Sequence, residues 1–229
     1  SVSEDLKKDT YKHFDINREI EVVPNFIDLE KFQKQHKDHF RSAICPQGEK
    51  LLVHTSNFRK VKRIDQVVRI FSKVLETIPA KLLLIGDGPE RPAIEKLCRE
   101  LGTCSDVRFL GKISDVQEVL SVSDIFLMPS EKESFGLAGL EAMACQVPVI
   151  SSDVGGLPEM NENGFSGYIC PVGDIDCMVK NTLEILSDEK TLLRFKKQAL
   201  VRAKEFDIKK VLPLYENIYK TALKKNSSK

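Results

Sequence analysis

"DIFLMPSEKESFGLAGLEAMACQVPVISS", Asp124–Ser152, decides how the rest of the chain is read. "DIFLMPS" is a short apolar run closed by proline. "VPVISS" is a second run, and a helical pattern rich in alanine, leucine and methionine joins the two. Two strands linked by a helix form a βαβ unit. Neither strand alternates with polar residues, so both faces of their sheet are covered. The connecting segment also carries two glutamates, Glu133 and Glu141, on either side of the glycine-bearing turn "SFGLAGL". A carboxylate just before a helix is ordinary capping. A second one inside the helix, among apolar residues, is not.

The same alternation extends outward. "KLLVHTS" (Lys50–Ser56), "AKLLLIG" and "VRFLG" read as strands. "VKRIDQVVRIFSKVLETIP" reads as a helix with Ile64, Val67, Val68, Phe71, Val74 and Leu75 on one face. "PERPAIEKLCRELG" is a helix opened near Pro89 and stopped by Gly102, and "SDVQEVLSVS" is another. "IEVVPN" (Ile20–Asn25) reads as a short strand ended by proline. "SVSEDLKKDTYKHF" reads as a helix, everything after Ile175 reads as helical, and the tail "KNSSK" reads as frayed. The expected fold class is α/β, a Rossmann-like parallel sheet with helices on both faces. Right-handed crossovers place the strand C-termini along one edge, where such folds bind ligands. The loops "TSNFRKVKR", "GDGPER", "GKISD", "PSEKESFGL" and "SDVGGLPE" therefore converge on one expected cleft.

Composition excludes several classes. In 229 residues, 35 Lys and Arg face 34 Asp and Glu, so no broad basic field favours nucleic acid. No apolar run reaches the length of a membrane span, and no signal-peptide pattern opens the sequence. The six cysteines form no C-x-x-C pair. Most lie in apolar context, and they are expected to be reduced, small core residues of a cytoplasmic protein.

Several loops carry candidate chemistry. Gly86 and Gly88 in "GDGPER" would let backbone approach a phosphate, but the third glycine of a dinucleotide fingerprint is absent and a tight strand-to-helix turn explains them too. Arg59, Lys60, Lys62 and Arg63 precede a helix, as a diphosphate clamp would, or as a solvated basic turn would. Asp174 and Asp176 form a D-x-D that suits either a metal or, more simply, a helix N-cap at Asp174. His36 and His39 in "HKDH" read as a solvated loop or surface turn. A helix starting near Gly136 would point free N–H groups at a phosphate. Glu133 and Glu141 would then flank that phosphate, and carboxylates suit sugars because they accept paired hydroxyl hydrogen bonds. Alternatively, Glu141 is a helix residue that meets no ligand.

"ESFGLAGLE" resembles the E-x7-E motif of retaining GT-B glycosyltransferases of family 4. "VPNFID", "GDGPE", "VRFLG", "SDIFLMPS", "LEAMACQVPVI", "VGGLPE" and "NGFSGYICPVGD" follow in that family's usual order. "SNFRKVKRIDQVVRIF" with "SEKESFGL" is similar to the N-acetylglucosaminyl malate synthase group of bacillithiol biosynthesis. The family's usual arginine position is Asn57 here, while Lys62 keeps the usual lysine. The resemblance implies a UDP-sugar donor, with Lys62 and Asn57 or Arg59 on its diphosphate. It implies Glu133 on the sugar, Glu141 on the ribose, and Gly86, Ser134, Phe135, Gly136 and Leu137 around phosphate or sugar. It places Gly111–Ile113 near the uracil. It further implies a bacterial hexosyltransferase with no metal or other cofactor, no protein nucleophile, and an acceptor such as L-malate, a polysaccharide or a lipid.

Residues 1–19 are expected to be the remnant of an N-terminal acceptor domain. Residues 20–206 are expected to form the donor-binding domain, and 207–229 a helix that crosses back to the missing domain. Such a fragment is expected to be inactive alone, and its parent admits a homo-oligomer. A nucleotide-sugar binding module without transfer activity, and an epimerase of the same fold, are the competing readings.

Overall fold

The computed structural model describes residues 1–35 and 38–227. Six parallel strands form one sheet: β1 (Lys50–Thr55), β2 (Ala80–Ile85), β3 (Val107–Gly111), β4 (Ile125–Met128), β5 (Val149–Ser152) and β6 (Gly167–Cys170). Their spatial order is β3-β2-β1-β4-β5-β6, every adjacent pair parallel. That is the doubly wound order, which reverses direction between β1 and β4.

Strand side chains feed two separate cores. Leu51, Val53, Leu83, Ile85, Phe126 and Met128 face one layer of helices. Leu52, Leu82, Leu84, Ile125, Leu127 and Ile150 face the other. This is why the strands read as continuous apolar runs. Helix α3 (Ile64–Leu75) buries Ile64, Val67, Val68, Phe71 and Val74, the face expected from their spacing. Helices α4 (Arg91–Glu100), α5 (Val116–Val122) and α6 (Leu137–Ala144) complete the crossovers. α4 begins at Arg91, two residues beyond Pro89, with Pro92 in its first turn.

Three parts of the sequence reading need correction. Ile20–Asn25 is not a strand: it pairs with none of the six, and the nearest bridge lies further on, at Ile27 with Asp207. β6 adds a strand beyond those expected, from the four residues of "GYIC". Two helices, α2 (Asp38–Ile44) and α7 (Leu157–Met160), arise where loops were expected. His39 is exposed on α2, and His36 lies outside the described residues. The C-terminal part is helical as expected, in α8 (Ile175–Leu186), α9 (Glu189–Ala203) and α10 (Ile208–Ser227). α10 ends at Ser227, and the last two residues of the "KNSSK" tail lie outside the described residues. The N-terminal helix α1 (Glu4–His13) also forms, its first N–H groups capped by the Glu159 carboxylate.

Cys170 and Cys177 are paired in a disulfide between the end of β6 and the first turn of α8, which corrects the expectation of six reduced cysteines. The loop between them returns their Cα atoms to 5.9 Å, which sequence spacing alone does not show. Cys104 is exposed rather than a core residue.

Asp124, just before β4, is buried. Lys196 Nζ and Arg41 Nη2 each reach its carboxylate at 2.7 Å, and the Leu51 N–H donates to it at 2.9 Å. Burial alone would raise its pKa, but Lys196 and Arg41 hold it below the usual value. A depressed carboxyl stabilises the fold above its unfolded pKa and loses that contribution as pH falls through the folded value. Asp124→Ala should therefore cost about 3–5 kcal/mol at pH 7, since it strands two cations. The cost should shrink as pH drops below the ordinary aspartate range, measured by urea unfolding at both pH values.

Candidate active site

The strand C-termini bound a cleft of about 360 Å³ at the point where strand order reverses. One wall is Thr55, Ser56 and Asn57 after β1, with Lys62. The other is Ser130 and Glu133–Ala138 after β4, with Glu141 inside α6. Ligands bind doubly wound sheets at this reversal because the loops on either side diverge there.

The α6 N-terminus is built by Gly136, whose φ of 101° suits glycine alone. A Cβ there would lie 2.6 Å from the Leu157 side chain. The N–H groups of Gly139 and Leu140 return to the Gly136 carbonyl. Those of Leu137 and Ala138 have no partner among the described residues and sit at the cleft. An anion fits that end of the helix.

Glu133 is held from two sides. Its carboxylate takes hydrogen bonds from Lys62 Nζ and, at 3.2 Å, from Ser130 Oγ. Its carbonyl accepts the Gly156 N–H at 3.2 Å. Gly155 passes so close that a Cβ would lie 1.8 Å from that carbonyl oxygen. The loop of Lys62 is itself tied down: Glu131 N–H donates to the Val61 carbonyl at 2.8 Å, and Arg63 Nη1 pairs with Glu131 at 2.5 Å. Loops after β1, β4 and β5 thus form one connected rim.

Glu141 contrasts with Glu133. No hydrogen bond reaches its carboxylate among the described residues. Burial raises its pKa, and Lys31 offsets this in part. At the foot of the cleft, His54 is buried and neutral, its pKa lowered to about 4 by burial and by Lys62, against the Leu127 carbonyl. Its Nδ1–H donates to that carbonyl at 2.8 Å, so Nε2 accepts from Ser56 Oγ at 2.9 Å. The Ser56 oxygen then offers only lone pairs to the cleft.

Of the expected site residues, Lys62, Asn57, Glu133, Ser134, Phe135, Gly136, Leu137 and Glu141 come together at the cleft. Arg59 is exposed nearby but does not line it. Gly86 packs on the Ser56 carbonyl, 1.8 Å from where its Cβ would stand, so the glycine serves loop packing. Ile113 follows β3, two strands from β1, and does not line the cleft. Asn25, His54, Thr55, Ser56, Met128 and Ser130 also line it. Most of these sit at the ends of β1 and β4, and strand position is the signal that points to them. Asp174 is the N-cap of α8, accepting from Cys177 N–H at 2.9 Å, and Asp176 pairs with Lys73. Among the described residues, no three His, Cys, Asp or Glu side chains are grouped to hold a metal.

A family model, glycosyl transferases group 1, matches residues 35–202. The chain belongs to this family. It is 41% identical over 226 residues to N-acetyl-alpha-D-glucosaminyl L-malate synthase of Bacillus anthracis, covering 98% of this chain and 59% of that protein. It is 31% identical over 183 residues to D-inositol 3-phosphate glycosyltransferase of Mycolicibacterium smegmatis, covering 76% of this chain and 41% of that one. Among solved structures, sucrose-phosphate synthase from Thermosynechococcus elongatus superposes with a TM-score of 0.85 at 23% identity, covering 97% of this chain and 57% of that chain. Anabaena HepE, solved with UDP and glucose, gives 0.78 at 22%, covering 89% and 57%. This group 1 glycosyltransferase chain thus spans between 41% and 59% of these proteins' length. Among its described residues, no helix is long and apolar enough to cross a membrane.

The unpaired Glu141 should cost the ligand-free chain stability at neutral pH. A carboxyl with a raised folded pKa favours folding below its unfolded pKa, and that advantage is lost as pH rises through the folded value. Glu141→Gln should therefore raise Tm at pH 7, with the gain vanishing as pH falls toward the ordinary glutamate value of 4.5. Thermal unfolding across that range checks it.

Proposed function

We propose that this chain carries the donor-binding part of a retaining glycosyltransferase that moves N-acetylglucosamine from its UDP-sugar to a small acceptor, L-malate. One observation carries the reading: the open N–H end of α6 lies between two carboxylates at the strand-order reversal. The diphosphate would sit against the Leu137 and Ala138 N–H groups and Lys62. Glu133 would take hydroxyls of the transferred sugar, and the partnerless Glu141 those of the ribose. The name of the Bacillus anthracis relative supports the choice of sugar and acceptor. The UDP held by the Anabaena protein supports the nucleotide. Residues 1–19 and 207–229 would belong with an acceptor domain, to which the acceptor site is assigned.

The chemistry asked of these residues is electrostatic. As the bond to the sugar breaks, negative charge grows on the leaving diphosphate. The α6 N–H groups would meet it without reorganisation, joined by Lys62. The leaving diphosphate takes the acceptor's proton, and no protein nucleophile is required. Before this, Lys62 has to exchange its Glu133 contact for phosphate, which frees Glu133 for the sugar.

Calorimetry with UDP, UDP-N-acetylglucosamine, UDP-glucose, GDP-mannose and ADP-glucose tests the reading. UDP-N-acetylglucosamine should bind best, and excess chelator should leave the affinity unchanged. Loss of binding in chelator would reinstate a metal and overturn the metal-free site. Glu141→Ala should weaken UDP and the UDP-sugar alike, by roughly 1.5–3 kcal/mol for the lost charged hydrogen bonds. Glu133→Ala should weaken only the sugar-bearing ligand. Equal losses of UDP affinity in both variants would contradict the assigned roles.

A further inference from the structure

The opposite edge of the sheet, where β1 and β4 begin, holds a second hollow of about 410 Å³. Lys34, Arg41, Lys50 and Lys196 line it, with Asp124 and Glu189. Four cations thus face two carboxylates. The Asp124 carboxylate is held by three donors: Oδ1 takes Lys196, and Oδ2 takes Arg41 and the Leu51 N–H. Lys50 reaches the exposed Glu189 only at 3.5 Å. Lys34 is exposed and has no ion pair among the described residues. Partial desolvation, Lys196 and Arg41 lower its pKa against the opposing pull of Asp124. A structural role for Asp124 accounts for Arg41 and Lys196, which clamp it. It leaves Lys34 and Lys50 without a reason to converge on the same hollow.

We propose that this hollow is a second binding site, for a phosphate dianion or a phosphomonoester, held by Lys34 and Lys50 beside the Lys196–Asp124–Arg41 cluster. The charge excess matches a dianion. The polar wall, with the Ser121 hydroxyl at its side, offers no grip for an apolar ligand. The repulsion of the Asp124 carboxylate is compensated by the two cations that hold it, Lys196 and Arg41. The site lies at the N-terminal strand edge and the donor cleft at the C-terminal edge, so the two can be filled together. The proposal is independent of what the donor cleft binds.

The test is calorimetric titration with inorganic phosphate, and separately with glycerol phosphate, at low ionic strength. Lys62→Ala serves as the background, so that the donor cleft loses its main cation. Phosphate should still bind this variant. Adding Lys34→Glu should weaken it by about tenfold or more, since an attractive charge becomes a repulsive one. Lys34→Arg should restore it. Tighter binding of glycerol phosphate than of phosphate would identify the monoester as the ligand, and the reverse order the free ion. Far-UV circular dichroism of Lys34→Glu should match that of the unaltered chain, which checks the fold without relying on the donor cleft. The proposal fails if the Lys62→Ala chain binds neither anion, or if Lys34→Glu leaves their affinity unchanged.

Discussion

The grip on Glu133 is the constraint on which the cleft depends. Its carboxylate is bound by Lys62 and Ser130, and its carbonyl by the Gly156 N–H. One residue therefore joins loops that follow three different strands. A βαβ sheet by itself only brings strand ends to a common edge. It does not fix the loops beyond them, which are ordinarily the mobile part of such folds. Here the contacts through Glu133 turn three loops into a rim with a defined opening. The same contact has a functional cost, because the lysine suited to a diphosphate is occupied by the glutamate suited to a sugar. Under the proposed assignment, binding is an exchange of partners rather than the filling of an empty site.

The two glutamates of the motif illustrate opposite solutions to burial. Glu133 has cationic and hydroxyl partners before any ligand arrives. Glu141 has none, and burial disfavours its charged form. A half-buried carboxylate without partners is costly unless something completes it. The fold keeps it at a position where alanine, leucine and methionine neighbours would accept an apolar residue. That choice makes sense where a ligand supplies the missing donors. His54 shows a related economy: burial keeps it neutral, and its fixed tautomer makes the Ser56 oxygen an acceptor facing the cleft.

The sheet was legible because continuous apolar runs alternate with 3.6-period patterns, and five of six strands follow directly from that. β6 escaped because its four residues are only partly apolar-buried at the sheet edge. "IEVVPN" misled because β-propensity says nothing of whether a segment reaches an edge of the sheet. At the site, Glu133, Glu141 and Gly136 were visible as charges and a glycine around a helix start. His54 and Ser56 were not, since a histidine in an apolar strand carries no mark of where its ring nitrogens point. The Cys170–Cys177 pairing was hidden for the same reason: it depends on how a loop returns.

The glycines separate what a motif suggests from what the backbone needs. Gly86 and Gly88 look like a phosphate loop, yet the atoms that exclude a side chain there are the Ser56 and Asn57 carbonyls. Gly155 and Gly156 likewise face the Glu133 and Ser134 carbonyls. In both pairs, glycine lets one loop lie against another with no room for a Cβ. The loops so pressed are those that present Ser56, Asn57, Glu133 and Ser134 to the cleft. These glycines set how closely the rim loops pack. A glycine-rich turn at a strand end is therefore compatible with two quite different physical roles, and only the identity of the nearest atom distinguishes them.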